Sequence, residues 1–283
     1  NLRELGFKNI HDSLNLYETT KFSKTYENAK KFPLFTPLRL QRQTTTHRYS
    51  VLKHKEKNKL NIKTLDIMVT ERCSMKCKDC ANLMQFYTDA SNADMSVLFK
   101  SLDRLMECTD RLGEFRVIGG EPFMNKEIHK AINKLLSYEA ADNVIVYSNA
   151  TIMPKGENLE CLKNEKIKFE ITNYGPSLSK KHDEMIKFLE KNNIRYTTEQ
   201  VRMWDDIGKL GFEKKSHLEL QSLFDDCCAK DLFTLLDGVI YKCPVSANGT
   251  KLKAVPFNKK YDGINLVDTS IEINDLKTSL VDF

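Results

Sequence analysis

Short apolar runs alternate with amphipathic stretches along the middle of the chain. Runs of this length and composition are typical of buried strands, and apolar residues at helical spacing between them are typical of helices packed on a sheet. The predicted strands are 65–69, 115–118, 144–147, 168–172 and 194–198. The predicted helices are near 96–107, 126–138 and 179–191, the first with Asp94 as its N-cap. This alternation predicts βαβ units and a mostly parallel sheet.

The loop after the first predicted strand carries three cysteines, Cys73, Cys77 and Cys80, at the spacing Cys-x3-Cys-x2-Cys. Thiolates grouped on a tight loop at a strand end suit a soft metal centre. Three ligands are one fewer than the usual four of an iron–sulfur cluster or a closed zinc site. Either a fourth ligand comes from elsewhere, or one metal position is open for chemistry.

Polar residues also follow the next three predicted strands. They are Gly119, Gly120 and Glu121, then Ser148 and Asn149, then Thr172. In open α/β sheets, ligands bind beyond the carboxyl ends of the strands, so we expect these residues to border one site. Glycine allows positive φ and a close approach of the backbone to a ligand. Glu121 could accept hydrogen bonds from a cationic amine.

Together, the cysteine spacing and the Gly-Gly-Glu segment resemble the signature of the radical S-adenosylmethionine (radical SAM) enzymes. In that family, three cysteines hold a [4Fe–4S] cluster, and the amine and carboxylate of S-adenosylmethionine bind its fourth iron. The resemblance implies that Cys73, Cys77 and Cys80 hold the cluster. It implies that Gly119, Gly120 and Glu121 hold the methionyl ammonium group, with Ser148, Asn149 and Thr172 near the cofactor.

The same resemblance implies a fold and an activity. The fold is a partial (β/α)6 barrel of the TIM type, open on one side, with a small C-terminal β-hairpin that carries cysteines. The activity is reductive cleavage of S-adenosylmethionine to a 5′-deoxyadenosyl radical, which removes hydrogen from a substrate.

A second cysteine group, Cys227, Cys228 and Cys243, flanks a predicted hairpin whose turn is Asp237–Gly238. The hairpin would bring Cys228 and Cys243 together. The element resembles the Cys-x9–15-Gly-x4-Cys segment of the auxiliary-cluster domains (SPASM or the shorter twitch) of some radical SAM enzymes, which implies a second iron–sulfur cluster held by the three cysteines. The alternative is a hairpin with free or zinc-binding thiols.

Charge is concentrated at the start of the chain. Residues 1–64 carry 14 Lys and Arg against 5 Asp and Glu, whereas the whole 283-residue chain has a net charge of +5. We predict a basic N-terminal arm over 1–63, a partial barrel over 64–215 and an auxiliary-cluster region over 216–283. A basic arm can attract phosphates, nucleic acid or an acidic partner. We favour a solvated extension, and we do not expect nucleic acid as a partner.

Membrane insertion and export are not indicated. No run of 18 apolar residues occurs, and no signal peptide is visible. Six of the eight cysteines fall in the two tight groups, an arrangement that suits metal ligands better than disulfides. We therefore expect reduced thiols and a cytoplasmic protein.

The predicted function is that of a radical SAM oxidoreductase or epimerase. Overall, the sequence is similar to those of proteins that modify surface polysaccharides. We therefore expect a carbohydrate or nucleotide-sugar substrate, either as a small molecule or as part of a glycan. An external electron donor of the flavodoxin or ferredoxin type would supply the reducing electron. One alternative is radical modification of a peptide. Another is a non-catalytic zinc protein whose basic arm binds nucleic acid.

Overall fold

A computed structural model describes residues 59–200, 214–259 and 261–283. Nearly all of the predicted basic arm, 1–58, lies outside these residues. The strands are β1 (Asn61–Met68), β2 (Arg111–Ile118), β3 (Ala141–Ser148), β4 (Ile167–Asn173), β5 (Tyr196–Gln200), β6 (Leu232–Leu236), β7 (Val239–Tyr241) and β8 (Ile264–Asn265). The helices are α1 (Met95–Cys108), α2 (Ile128–Leu136), α3 (Glu157–Glu160), α4 (His182–Lys191), α5 (His217–Asp225), α6 (Pro244–Lys251) and α7 (Ile273–Asp282).

The strands form one eight-stranded sheet in the order β5-β4-β3-β2-β1-β6-β7-β8. Strands β1 to β6 are parallel to their neighbours, and β7 and β8 are antiparallel additions at one edge. The sheet does not close into a complete barrel. The predicted α/β fold, a partial barrel of the TIM type, is confirmed.

The predicted helices are present, and α1 shows why their ends could be recognised. The Asp94 carboxylate accepts hydrogen bonds from the backbone N–H groups of Ser96 and Val97, so Asp94 caps this helix as predicted. One stripe of α1, which includes Leu98, Leu102 and Leu105, is buried on the sheet. In the described part of the chain, no helix combines the length and apolarity needed to cross a bilayer.

The predicted hairpin is formed by β6 and β7. Its turn residues Asp237 and Gly238 have φ of 48° and 81°, the positive values that a two-residue type I′ turn requires. Strand β6 pairs with β1, so the hairpin is part of the main sheet. Because β6 is parallel to β1, its turn lies at the carboxyl edge of the sheet. The chain before β6 and after β7 therefore lies at the amino edge.

The two faces of the sheet differ in character. On β1, Leu65 and Ile67 point into a large apolar core that also contains the buried sides of α1, α2, α4 and α7. Alternate residues point to the other face, where Met68 packs in a smaller cluster with residues of β2, β6, β7 and α6. Asp66 points to this second face too, because side chains alternate along a strand. We call this second face the inner face.

Candidate active site

The loop that carries Cys73, Cys77 and Cys80 begins where β1 ends and is held against the end of β2. The backbone N–H of Gly120 donates to the Thr70 carbonyl at 3.0 Å, and that of Glu121 donates to the Arg72 carbonyl at 2.8 Å. The Asn82 side chain donates to the Gly119 carbonyl at 2.7 Å. The first two predicted strand ends are thus joined into one unit.

Glycine is required at positions 119 and 120 by this contact. A Cβ at Gly119 would lie 2.3 Å from the Thr70 carbonyl oxygen, and one at Gly120 would lie 2.2 Å from that of Arg72. Neither glycine has positive φ, so it is the close approach of the backbone that requires glycine here. The close approach here is made by the cysteine loop of the protein itself.

The three thiols of the loop lie close together and are half-buried. Burial raises the pKa of the Cys73 thiol to about 11, and the neighbouring Glu121, Cys80 and Cys77 add to the rise. Burial also raises the pKa of Tyr174, and all three cysteines contribute to that shift. Tyr174 therefore lies beside the whole group. Thiolates so placed need a cationic partner, which a bound metal centre would supply.

The loop cysteines are not arranged around a single metal ion. Among the described residues, no three His, Cys, Asp or Glu side chains are close enough together to hold one metal ion. A zinc ion needs its thiolates at about 2.3 Å from one centre, whereas each cysteine of an iron–sulfur cluster binds a different iron. That the three loop cysteines ligate such a cluster stays a prediction.

Glu121 connects the ends of β2 and β3. Its carboxylate accepts hydrogen bonds from the Ser148 hydroxyl at 3.0 and 3.1 Å and from the Asn149 backbone N–H at 2.8 Å. Glu121 is fully buried, and burial raises its pKa to about 7 against the lowering effect of these hydrogen bonds. The carboxylate thus organises the site from within, and its contact with a cofactor amine stays a prediction.

Asn149 extends this network to the cysteines. Its side-chain amide lies 3.8 Å from Cys73 Sγ and 3.2 Å from Ser74 Oγ. The carbonyl of Asn149 accepts a hydrogen bond from the Ser179 hydroxyl at 3.1 Å, beyond the end of β4. Thr172, the predicted residue on β4, is hydrogen-bonded to the Tyr174 side chain. All four predicted strand ends therefore meet at this edge.

The second cysteine group is arranged differently. Cys227 and Cys228 are exposed and Cys243 is half-buried, and none of the eight cysteines is in a disulfide. Burial raises the pKa of Cys243, and the proximity of Cys227 and Asp66 raises it further. Cys227 thus lies near Cys243, while the expected proximity of Cys228 stays a prediction. The topology places this group at the amino edge, away from the first.

Contacts that join α6 to the first cysteine loop were not predicted. The Lys251 ammonium pairs with Glu71, next to the cysteine loop, and with Asp237 of the hairpin turn at 2.6 Å. The Tyr87 hydroxyl donates to Asn248 at 2.8 Å. These partners are far apart in the sequence, so no short sequence pattern could have predicted their contacts.

The pair formed by Asp66 and Arg116 was also missed. It lies on the inner face, with Asp66 Oδ1 at 3.0 Å from Arg116 Nε. Here a signal existed, since Asp66 is the single charged residue in the otherwise apolar run Leu65 to Val69.

Comparison with known protein families points to the same centre. Residues 64–193 match the family described as a 4Fe-4S single cluster domain. GTP 3′,8-cyclase of Staphylococcus epidermidis is 26% identical over 172 residues, which cover 58% of this chain and 48% of the relative. That of Clostridium acetobutylicum is 30% identical over 101 residues, 35% of this chain and 31% of the relative. The chain spans about half the length, or less, of these curated relatives.

Solved structures with the same fold include BtrN in complex with AdoMet and 2-DOIA, with a TM-score of 0.53 and 16% identity over 80% of this chain and 87% of that one. Native anSMEcpe with bound AdoMet gives a TM-score of 0.52 and 12% identity over 78% and 82% of the two chains. The cysteine loop, the Gly-Gly-Glu segment and the partial barrel agree with these similarities, and the chain is similar to the radical SAM enzymes.

Proposed function

We propose that this protein cleaves S-adenosylmethionine reductively and removes a hydrogen atom from a carbohydrate or nucleotide-sugar substrate, which it oxidises or epimerises. The observation that carries the proposal is the group of three half-buried thiols beside Tyr174, at the edge where four strand ends meet. When bound there, a [4Fe–4S] cluster supplies the electron that breaks a carbon–sulfur bond of S-adenosylmethionine.

The residues of the chain divide this task. Cys73, Cys77 and Cys80 would ligate three irons as thiolates. Asn149 directs an amide N–H toward Cys73 Sγ, which favours the negative charge of a ligating thiolate. Glu121 fixes the position of Asn149 through the Asn149 backbone N–H.

The other predicted cofactor residues border the same space. The Gly119–Gly120 backbone and the segment from Thr172 to Tyr174 would line the cofactor site. Ser148 supports it through its hydrogen bonds to Glu121.

The second cysteine group would hold an auxiliary iron–sulfur cluster. Oxidation of a substrate radical requires an electron acceptor, and Cys227, Cys228 and Cys243 lie on the opposite side of the inner face from the first group. Cys243 and Asp66 are near enough to interact electrostatically. A substrate on the inner face would therefore lie between the two groups. We also propose, from the sequence, an external flavodoxin-type or ferredoxin-type donor and a cytoplasmic location.

The test is product formation by the anaerobically reconstituted protein. After reduction with dithionite, the protein should convert S-adenosylmethionine to 5′-deoxyadenosine and methionine, and it should contain iron rather than zinc. Cys108→Ala is the matched control, because Cys108 is buried at the end of α1 and belongs to neither cysteine group. Stoichiometric zinc without iron, and no 5′-deoxyadenosine, would favour the zinc-protein alternative.

A further inference from the structure

Three polar residues form a row across the inner face of the sheet. Asp66 of β1 is paired in register with Arg116 of β2 on one side and with Thr234 of β6 on the other. Neighbouring strands are about 5 Å apart, so the row is about 10 Å long. Asp66 and Thr234 are 1% and 0% exposed.

Polar atoms of this row lack hydrogen-bond partners among the described residues. They are both carboxylate oxygens of Asp66, the Nε of Arg116 and the hydroxyl of Thr234. Asp66 Oδ1 is 3.0 Å from Arg116 Nε, but the two groups are not aligned as a hydrogen bond. Buried polar atoms nearly always have hydrogen-bond partners, so these unsatisfied atoms, which persist although Asp66 and Arg116 form an ion pair, point to a ligand.

The row lies at the place where a substrate of this enzyme would be expected. Met68, two residues after Asp66 and so about 7 Å further along β1, packs in the cluster that also touches Cys73 and Cys80. In the other direction, Asp66 interacts electrostatically with Cys243. The row therefore lies between the two cysteine groups.

The polar atoms of the row select the chemistry of the ligand. Asp66 only accepts hydrogen bonds when ionised, Arg116 only donates them, and the Thr234 hydroxyl can do either. A ligand hydroxyl can donate to Asp66 and accept from Arg116 or Thr234 at the same time. A ligand carboxylate or phosphate would be repelled by the negative charge of Asp66. A peptide unit fits poorly too, because its N–H and C=O point in opposite directions and cannot both face this row.

We propose that Asp66, Arg116 and Thr234 form a subsite that binds adjacent hydroxyl groups on the ring of a sugar or another cyclic polyol. The sugar ring would lie near Tyr147. The aromatic ring of Tyr147 is 4.8 Å from the Arg116 guanidinium carbon. The subsite rests on the proposed function, since it names the substrate class of the same enzyme.

The test is calorimetric titration of the reconstituted protein, in the presence of S-adenosylmethionine, with myo-inositol, D-glucosamine and UDP-glucose. A capped tripeptide and pyruvate serve as non-polyol probes. At least one polyol should bind and should raise the rate of 5′-deoxyadenosine formation. Asp66→Asn should weaken its binding about 10- to 100-fold, as expected for the loss of hydrogen bonds to a charged group.

Thr234→Val separates binding from folding. Valine has nearly the shape of threonine, and the buried hydroxyl that it removes has no hydrogen-bond partner among the described residues. The melting temperature of the unliganded protein should therefore rise or stay the same. Binding of the polyol should nevertheless weaken about threefold to tenfold, as for a lost neutral hydrogen bond. A purely structural threonine would show lower stability and unchanged affinity.

Asp142→Asn is the matched control, because Asp142 of β3 also pairs with an arginine of β2, Arg111, but at the surface. This variant should bind the polyol like the wild type. The subsite is overturned if no polyol binds, if the tripeptide or pyruvate binds instead, or if Asp66→Asn and Thr234→Val leave affinity unchanged. Formation of 5′-deoxyadenosine by the wild type without any polyol tests the proposed function separately.

Discussion

The two cysteine groups share a residue type but differ in how the protein supports them. Around Cys73, Cys77 and Cys80, the ends of β1 to β4 converge, and the Asn149 side-chain amide donates to Cys73 Sγ at 3.8 Å. Around Cys227, Cys228 and Cys243, two of the three thiols are exposed. Backbone N–H groups a few residues away donate to two of these thiols: Ala229 to Cys227 Sγ and Ser246 to Cys243 Sγ, both at 3.4 Å.

This difference shows which centre is prepared by the fold. Ligands held by a network before the metal arrives lose little freedom on binding, whereas exposed ligands must be ordered at that moment. We therefore propose the first group as the catalytic centre. We propose that the second group is ordered only when its cluster or a substrate binds.

The largest expected effect comes from removing a ligand of the first group. Cys73→Ala should abolish formation of 5′-deoxyadenosine and reduce the iron content, because the remaining two thiolates cannot hold the cluster. Iron analysis and chromatographic quantification of the nucleoside measure both. Cys108→Ala should match the wild type, and retained nucleoside formation in Cys73→Ala would mean that Cys73 is not a ligand.

The second group can be removed by the double change Cys228→Ala and Cys243→Ala. Part of the iron should be lost, while the spectroscopic signal of the first cluster survives, because the groups lie at opposite edges of the sheet. Iron analysis with electron paramagnetic resonance of the reduced protein separates the two. An iron content equal to that of the wild type would contradict a second cluster.

Asp66, which lies between the two cysteine groups, has a smaller, pH-dependent effect on the free energy of unfolding. Burial raises the pKa of Asp66 from 3.8 to about 6, although Arg116 opposes the shift. Because the raised pKa favours the protonated folded state, this group lowers the stability of the wild type as pH rises from about 4 to about 6.

Relative to the wild type, Asp66→Asn should therefore gain up to about 3 kcal/mol in unfolding free energy between pH 4 and pH 7. Urea unfolding of the metal-free proteins at several pH values measures this. Asp142→Asn should show no such trend, and parallel pH profiles for Asp66→Asn and the wild type would argue that Asp66 is already ionised when folded at low pH.

The smallest effect concerns the support of a ligand. Asn149→Ala removes the amide that contacts Cys73 Sγ and Ser74 Oγ. Activity or cluster retention should fall about 10- to 100-fold, as for other outer partners of metal ligands. The cluster signal should shift without disappearing, and an unchanged signal and activity would remove Asn149 from the network.

Sequence patterns were sufficient where the chemistry is local. The period of apolar residues located every strand from β1 to β5, Asp94 marked the start of α1, and Asp237–Gly238 marked the hairpin turn. Each of these depends on residues within a few positions of one another, so one short window contains the whole signal.

Long-range pairing was outside the reach of such patterns. Nothing near β6 indicates that it pairs with β1, and this pairing is what places the second cysteine group at the amino edge. The reason for Gly119 and Gly120 also depends on a distant loop, since their missing Cβ atoms admit the backbone of Thr70 and Arg72. The role of Asp66 required knowledge of both neighbouring strands.

The central claim is that Cys73, Cys77 and Cys80 leave one iron of their cluster open to S-adenosylmethionine. The most direct test uses the reduced double variant Cys228→Ala and Cys243→Ala, which isolates the first group. Its cluster is measured by electron paramagnetic resonance and electron–nuclear double resonance. With S-adenosylmethionine labelled with ¹⁵N at the amine and ¹⁷O at the carboxylate, we predict a changed cluster signal with hyperfine coupling to both labels. An iron–sulfur signal that S-adenosylmethionine leaves unchanged and uncoupled would contradict the account.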